Sequence, residues 1–157
     1  MPTKQASKSR NPARKSENVW TDDERAAMQE SARERKAASR RDPAKERADG
    51  EREVREKIAQ MPEPDRTVAE RIHALVTNSA PAFVPRTYYG MPAYAKNGKT
   101  ICFFKPASKF KERYSTFGFE QSARIDDGAM WPVAFAVTEL TADVEARIVE
   151  LVKKAAG

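Results

Sequence analysis

The chain is poor in the residues that build disulfides, metal clusters and phosphate-binding loops. Among its 157 residues there are one cysteine, Cys102, one histidine, His73, and six glycines. A single cysteine excludes an internal disulfide and multi-cysteine zinc or iron–sulfur sites, and a single histidine excludes multi-histidine metal sites. No glycines stand at G-x-G-x-x-G spacing and no serine stands in a G-x-S-x-G motif. Because no catalytic constellation can be assigned, we expect a protein that is not an enzyme.

Long apolar runs are also missing from the sequence. No run approaches the roughly 18–20 residues that a membrane span needs. The N-terminal residues carry charge but no apolar core of a secretory signal. We therefore expect a soluble protein of a reducing compartment, the cytoplasm, with no membrane partner.

Large apolar residues are distributed unevenly along the chain. Residues 1–60 contain only Val19, Val54 and Ile58 from the set Leu, Ile, Val and Phe, whereas residues 61–157 contain 22 of that set. Twelve of the 13 aromatic residues lie between Phe83 and Phe135. The first 60 residues bury too little apolar surface to offset their ordering entropy. We therefore expect one domain over 61–157, and we expect residues 1–60 to be dispensable for its folding.

The first 19 residues form a basic tail. They carry five Lys or Arg residues against Glu17 alone, within a background of Pro, Ser, Asn and Gln. This composition predicts disorder. The tail is interpreted as a solubilising segment or, alternatively, as a segment that attracts nucleic acid weakly and without sequence specificity. The cations are Lys4, Lys8, Arg10, Arg14 and Lys15.

Residues 20–60 predict a charged helical extension. They hold 11 basic and 11 acidic side chains in a background rich in helix-forming Ala, Glu, Arg and Lys. Thr21 and Glu24 have capping-box spacing. We expect exposed, partly frayed helices that break near Pro43 and Gly50 and that could recruit a protein partner.

Two side-chain patterns within this extension have opposite expected effects. Glu30 and Glu34 are a like-charged pair at i,i+4, which destabilises an isolated helix. Val54, Ile58 and Met61 are spaced at i, i+4 and i+7, so the last turns are expected to dock on the domain that follows.

The domain itself alternates helical and strand patterns in the order helix, several strands, helix. Such an order predicts an α+β fold with a small antiparallel sheet flanked by helices. Asn97-Gly98 predicts a type I′ hairpin turn, and Thr141 predicts the start of the last helix. Strands are expected within 83–89, 94–104, 110–119 and 131–137, with Ala134 and Ala136 facing a helix.

Two weak candidates for chemistry stand outside the main motif. Cys102 with His73 as its base would make a nucleophilic dyad, but a cysteine in a buried strand is usually a small apolar side chain. Asp126-Asp127-Gly128 is typical of a turn, and Asp126 and Asp127 could alternatively supply oxygen ligands to a hard cation.

Residues 87–94 predict a sharp backbone change lined by tyrosines. Gly90 permits a tight turn or a close approach, and Pro92 fixes the backbone two residues later. The segment is interpreted either as a turn or bulge whose tyrosines cap the core, or as one wall of a ligand pocket. The expected pocket residues are Tyr89, Met91, Tyr94, Lys105, Tyr114 and Trp131.

The same region resembles a known family. Tyr-Tyr-Gly-Met-Pro-Ala-Tyr at 88–94, Ile-Cys-Phe-Phe-Lys at 101–105 and Tyr-Ser-Thr-Phe-Gly-Phe at 114–119 are similar to the YdhG-like family of small domains of unknown function. The resemblance covers about residues 64–154 and implies the same α+β fold. Some members are described as frataxin-like iron chaperones, which implies iron as a cargo. The domain has 13 basic and 11 acidic residues, however, and no run of carboxylates typical of such a surface.

Four functions therefore remain open at the level of sequence. The first is a non-catalytic binding domain with a pocket at the Gly-Met-Pro segment for a small metabolite, an anion or a metal. The second is an iron chaperone, which the family resemblance implies. The third is weak nucleic-acid association through the tail, extended by Lys109, Lys111 and Arg113. The fourth is an adaptor that recruits a protein through its N-terminal helices.

Overall fold

A computed structural model of the chain describes residues 19–39 and 42–157. The predicted α+β class is confirmed, since five helices accompany one five-stranded sheet. The helices are α1 (Asp22–Ser39), α2 (Pro43–Ala59), α3 (Asp65–Ser79), α4 (Ala107–Phe110) and α5 (Ala142–Ala156). The strands are β1 (Val84–Tyr88), β2 (Met91–Lys96), β3 (Lys99–Lys105), β4 (Ser115–Phe119) and β5 (Ala134–Val137). The predictions for the basic tail concern residues that lie, except for Val19, outside the described ranges.

The sheet is an antiparallel meander in which every strand pairs with its neighbour in sequence, in the order β1-β2-β3-β4-β5. Two-residue turns close its first two hairpins. Asn97 and Gly98 have φ values of 53° and 77°, which confirms the predicted turn with two positive φ angles. Tyr89 and Gly90, with φ values of 52° and 74°, form the same kind of turn between β1 and β2.

The core lies between one face of the sheet and helices α2, α3 and α5. Tyr94, Cys102, Phe104, Phe117 and Phe119 of the sheet are buried in one cluster with side chains of those helices. Burial of each large apolar side chain stabilises the fold by about 1.5–3 kcal/mol. The helical members of the cluster include Val54, Ile58, Ile72, Val76, Ile148, Leu151 and Val152.

Helix α2 is part of this core and is not a frayed extension. Val54 and Ile58 are buried with Met61 in the core cluster, as their spacing predicted. The helix also continues through Gly50, where a break was expected. A Cβ atom on Gly50 would lie 1.9 Å from the carbonyl oxygen of Pro85, so the missing side chain lets α2 approach β1 closely. The proposed boundary at residue 61 therefore divides residues that share one core.

Helix α1 is attached mainly through its polar side chains. Thr21 and Glu24 form the predicted capping box, in which each backbone N–H donates to the side chain of the other residue. Among the side chains of α1 that the structure describes, only those of Ala27 and Ser31 are buried. The helix contacts β1 and α4, beside the sheet face that α2, α3 and α5 leave uncovered.

Two expected strands are shorter than the sequence suggested. Residues 110–119 are not one strand, because α4 ends at Phe110, Lys111 has φ 53°, and β4 begins at Ser115. The last strand begins at Ala134 and not at Trp131, since Pro132 has no N–H to give to a ladder. Ala134 and Ala136 are exposed, and no helix of the described residues covers them, so the expectation that they face a helix is wrong.

Candidate functional site

The six side chains predicted to line a pocket divide into two groups. Tyr89, Met91 and Lys105 lie together around one groove. The other three do not reach it, because Tyr94 is fully buried in the core, Tyr114 is exposed, and Trp131 packs against the core cluster. Half of the predicted pocket is therefore brought together by the fold.

We name this space the aromatic groove. It has a volume of about 560 Å³ and lies on the sheet face opposite the core, where the N-terminal turns of α1 form one wall. Its lining is mostly apolar, which is typical of sites for small organic ligands. Its main apolar side chains are Trp20, Met28, Tyr88, Tyr89, Phe103 and Phe110.

The rings on the floor of the groove are held in place by the sheet. Phe103 is paired with Gly118 across β3 and β4. A Cβ atom on Gly118 would lie 2.4 Å from the Phe103 ring, so that ring lies directly against the glycine backbone. Tyr88 contacts both Phe103 and Tyr89, with ring centroids 6.1 Å and 4.6 Å apart. The plane of the Tyr88 ring is inclined by 79° to that of Tyr89 and by 49° to that of Phe103.

Charged groups occupy the polar side of the groove. The hydroxyl of Tyr88 donates to the Glu120 carboxylate over 3.4 Å. Burial, followed by the nearby Glu120 charge, raises the pKa of Tyr88 to about 12, so this phenol stays protonated at neutral pH. Lys105 is already paired, with Nζ 2.5 Å from Oε1 of Glu112 and 4.8 Å from the centre of the Phe110 ring.

The Tyr89-Gly90 turn next to the groove is covered by carboxylates of α1. The N–H of Gly90 donates to Oε1 of Glu34 over 2.9 Å. Oε1 of Glu30 lies 2.9 Å from Nζ of Lys109, and Oε2 of the same carboxylate lies 3.2 Å from Nζ of Lys57. A Cβ atom on Gly90 would lie 2.1 Å from Oε2 of Glu30. The close approach that Gly90 permits is therefore made by the protein's own helix.

The two carboxylates of α1 respond to this environment in opposite directions. Partial burial disfavours the charge of Glu30, but Lys109 and Lys57 outweigh burial and lower its pKa. Burial raises the pKa of Glu34, and hydrogen bonds from the turn only partly offset that effect.

A second, smaller cavity of about 260 Å³ also borders this turn. Its lining includes Gly90, Lys57, Ser108 and Lys109.

The single histidine connects α2, α3 and the sheet inside the fold. Nδ1 of His73 lies 2.9 Å from the Tyr94 hydroxyl, and its Nε2 lies 2.8 Å from Oε1 of Glu51. Burial opposes ionisation of Glu51, but hydrogen bonds from His73 and Arg55 lower its pKa. His73 is itself buried.

The candidates for nucleophilic and metal chemistry are not supported by their surroundings. Both ring nitrogens of His73 have other partners, and burial raises the pKa of the Cys102 thiol, which disfavours the thiolate. Asp126 and Asp127 are exposed, and Gly128 has the positive φ of 68° that a turn favours. Within 19–39 and 42–157, no three His, Cys, Asp or Glu side chains are placed to hold a metal ion.

The basic patch expected from Lys109, Lys111 and Arg113 is largely neutralised by other groups. Lys109 pairs with Glu30, Lys111 lies 3.4 Å from Asp23, and Arg113 lies over the Tyr114 ring. A different set of cations, Lys96, Lys99 and Arg124, surrounds a depression of about 710 Å³ beside the end of α5, and no acidic side chain lines it.

Sequence reasoning missed the contribution of α1 to the groove. Trp20 and Met28 line it, together with Glu24, although they precede the predicted domain by more than 30 positions. One available indication was Trp20 itself, the only aromatic residue outside 83–135. A large aromatic side chain in a segment that otherwise lacks apolar residues indicates a contact with a folded surface.

Comparison with known proteins identifies no relative. No family model, curated protein or solved structure matches the chain. The resemblance to the YdhG-like family therefore stays a prediction. Within the described residues, no helix has the length and apolar character required to cross a membrane.

Proposed function

We propose that the protein is a non-catalytic binding domain whose ligand is a small organic molecule held in the aromatic groove. The observation that carries this proposal is the groove itself, where Trp20 and rings from the first hairpin, β3 and α4 line about 560 Å³ of space. Aromatic side chains supply large contact areas with little loss of side-chain entropy. The groove therefore suits a ligand with an apolar or aromatic body.

The polar groups around the groove favour binding over chemistry. Lys105 is neutralised by Glu112, and the Tyr88 phenol is held in its protonated form beside Glu120. The Tyr88 hydroxyl donates to Glu120, but its pKa is raised and not lowered, which disfavours its use as a nucleophile. We assign these polar groups to the orientation of a ligand.

A comparison of two tyrosine variants tests the proposal. A screen of small aromatic and apolar compounds by ligand-observed NMR is expected to give hits with the full chain. Tyr89→Ala removes a ring of the groove and should abolish those hits or weaken them several-fold. Tyr114→Ala removes an exposed ring outside the groove and should leave them unchanged. Hits that persist in Tyr89→Ala, or a complete absence of hits, would contradict the proposal.

A second candidate function is the binding of a polyanion such as nucleic acid. It is favoured by the depression around Lys96, Lys99 and Arg124, where three cations lack an acidic neighbour in the lining. Such binding should weaken steeply with salt. Lys99→Glu should reduce it strongly, and Lys111→Glu, which alters a lysine already paired with Asp23, should reduce it less.

A further inference from the structure

We infer that the ligand of the aromatic groove carries an organic cation, namely a quaternary or methylated ammonium group on an apolar body; this inference rests on the proposed function. Three independent features of the groove point to such a ligand. They are the aromatic rings of its lining, the charge of Glu120, and the way in which the protein already holds one of its own ammonium groups nearby.

The rings supply the attraction for a cation that is poorly hydrated. Ring faces carry partial negative charge, and a cation within about 6 Å of a ring centre is attracted by it. Trp20, Tyr88, Tyr89 and Phe103 line the groove from the segment before α1, from the first hairpin and from β3. Among the described residues, no lysine or arginine is placed over the rings of Tyr88, Tyr89 and Phe103, whereas Phe110 already carries Lys105 and Lys109.

Glu120 supplies the opposite charge. Its carboxylate lines the groove and accepts from the Tyr88 hydroxyl. Among the residues that the structure describes, no cationic group lies within 4 Å of this carboxylate. Glu24 adds a second carboxylate to the lining, and the positive charge of Lys105 is balanced by Glu112. The lining therefore holds two carboxylates, Glu24 and Glu120, against the one ammonium of Lys105, which favours a cationic ligand over an anionic one. Arg86 lies outside the lining, and its charge acts on Tyr88.

The neighbouring Lys105 shows the same chemistry within the protein. Its ammonium lies 4.8 Å above the centre of the Phe110 ring and 2.5 Å from the Glu112 carboxylate. One ring and one carboxylate thus hold one ammonium at the edge of the groove. Tyr88, Phe103 and Glu120 repeat that combination with no ammonium of the protein between them.

Choline and its neutral isostere, 3,3-dimethylbutan-1-ol, test this inference because they have nearly the same shape and differ in charge. Binding of each to the full chain is measured by chemical-shift changes in NMR titrations. We expect choline to bind about three- to thirtyfold more tightly than the alcohol, in line with the usual strength of cation–π attraction. Glu120→Gln should weaken choline at least about threefold and leave the alcohol unchanged.

The control variant is Glu139→Gln, which removes an exposed carboxylate outside the groove and should change neither affinity. Equal binding of choline and the alcohol, or insensitivity of choline to Glu120→Gln, would overturn the inference and leave the proposed binding function intact. If neither compound binds and the wider screen gives no hit sensitive to Tyr89, both the inference and the proposed function are wrong.

Discussion

The N–H of Gly90 donates a hydrogen bond to the Glu34 carboxylate across 2.9 Å and 56 positions of sequence. With the Glu30 pairs to Lys57 and Lys109, it fixes α1 against the turn between β1 and β2. Met28 of the same helix lines the aromatic groove, together with Trp20, which lies two residues before the helix begins. Helix α1 therefore both covers the Gly90 turn and forms one wall of the proposed binding site.

Gly90→Ala is expected to destabilise the protein more than Gly98→Ala. Both glycines occupy the second position of a two-residue turn with nearly equal positive φ, so both substitutions cost ~1 kcal/mol of backbone strain. A Cβ atom on Gly90 would also lie 2.1 Å from Oε2 of Glu30 and 2.8 Å from Nζ of Lys109, whereas a Cβ atom on Gly98 would have nothing within 4 Å. Urea unfolding of both variants measures the difference.

The excess cost at Gly90 belongs to the docking of α1. The excess should therefore become smaller in the Glu30→Ala background, in which the Lys109 ammonium is the remaining close group. An equal cost of the two substitutions in the original protein would show that the ends of these side chains move aside at little cost, and it would contradict the expected excess.

The features that could be predicted from sequence are those set by neighbouring residues. The Asn97-Gly98 turn, the capping box at Thr21 and the N-cap at Thr141 each depend on residues within a few positions, and each is present. The strand predicted over 110–119 was too long. The alternation of apolar and charged side chains at its start also fits what the structure shows, a short helix followed by Lys111 with positive φ.

The arrangement of the candidate site depends on contacts between distant segments, which local patterns do not report. Glu30 and Glu34 repel each other in an isolated helix. In the fold they have separate partners, two lysines for Glu30 and the Gly90 turn for Glu34. The sequence pattern placed Tyr94 in the predicted pocket because it could not show that Pro92 and Tyr94 face the core while Met91 faces the groove.

Acid is expected to act on Glu30 and Glu34 in opposite directions. The pKa of Glu30 is lowered in the fold, so its contribution to stability is present above its ordinary pKa of 4.5 and is lost as the pH falls below that value. The pKa of Glu34 is raised, so protonation above pH 4.5 relieves a cost of burying its charge. Acidification therefore removes a stabilising effect at one residue and a destabilising effect at the other.

Unfolding by urea at pH 7 and at about pH 4 measures both effects. The loss of stability between these conditions should be smaller in Glu30→Gln than in the original protein and larger in Glu34→Gln. Because the two variants carry the same substitution on the same helix, each is the control for the other. Identical pH dependence of the two would contradict the assignment.

A chain that begins at Met61 is expected to lose most of its stability, contrary to the expectation from composition. It lacks Val54 and Ile58, and each buried side chain of this kind contributes about 1.5–3 kcal/mol. Their sum is a large part of the roughly 5–15 kcal/mol that stabilises an ordinary domain. A chain that begins at Asp42 keeps α2 and is the control; it should retain a cooperative thermal transition. If the chain from Met61 unfolds as cooperatively and at the same temperature, α2 is dispensable.

Tyr94→Phe is expected to destabilise the core and to leave the aromatic groove unaffected. Tyr94 is fully buried on the helix side of the sheet, and its hydroxyl is the partner of Nδ1 of His73. Removing the hydroxyl leaves a buried ring nitrogen without a partner, which costs about 1–3 kcal/mol. Tyr114→Phe removes an exposed hydroxyl and should change the free energy of unfolding by less than about 0.5 kcal/mol. Urea unfolding gives both values, and the NMR titrations give the affinities of groove ligands. Unchanged stability in Tyr94→Phe would contradict the buried contact with His73. Weaker ligand binding without a change in stability would show that Tyr94 belongs to the ligand site.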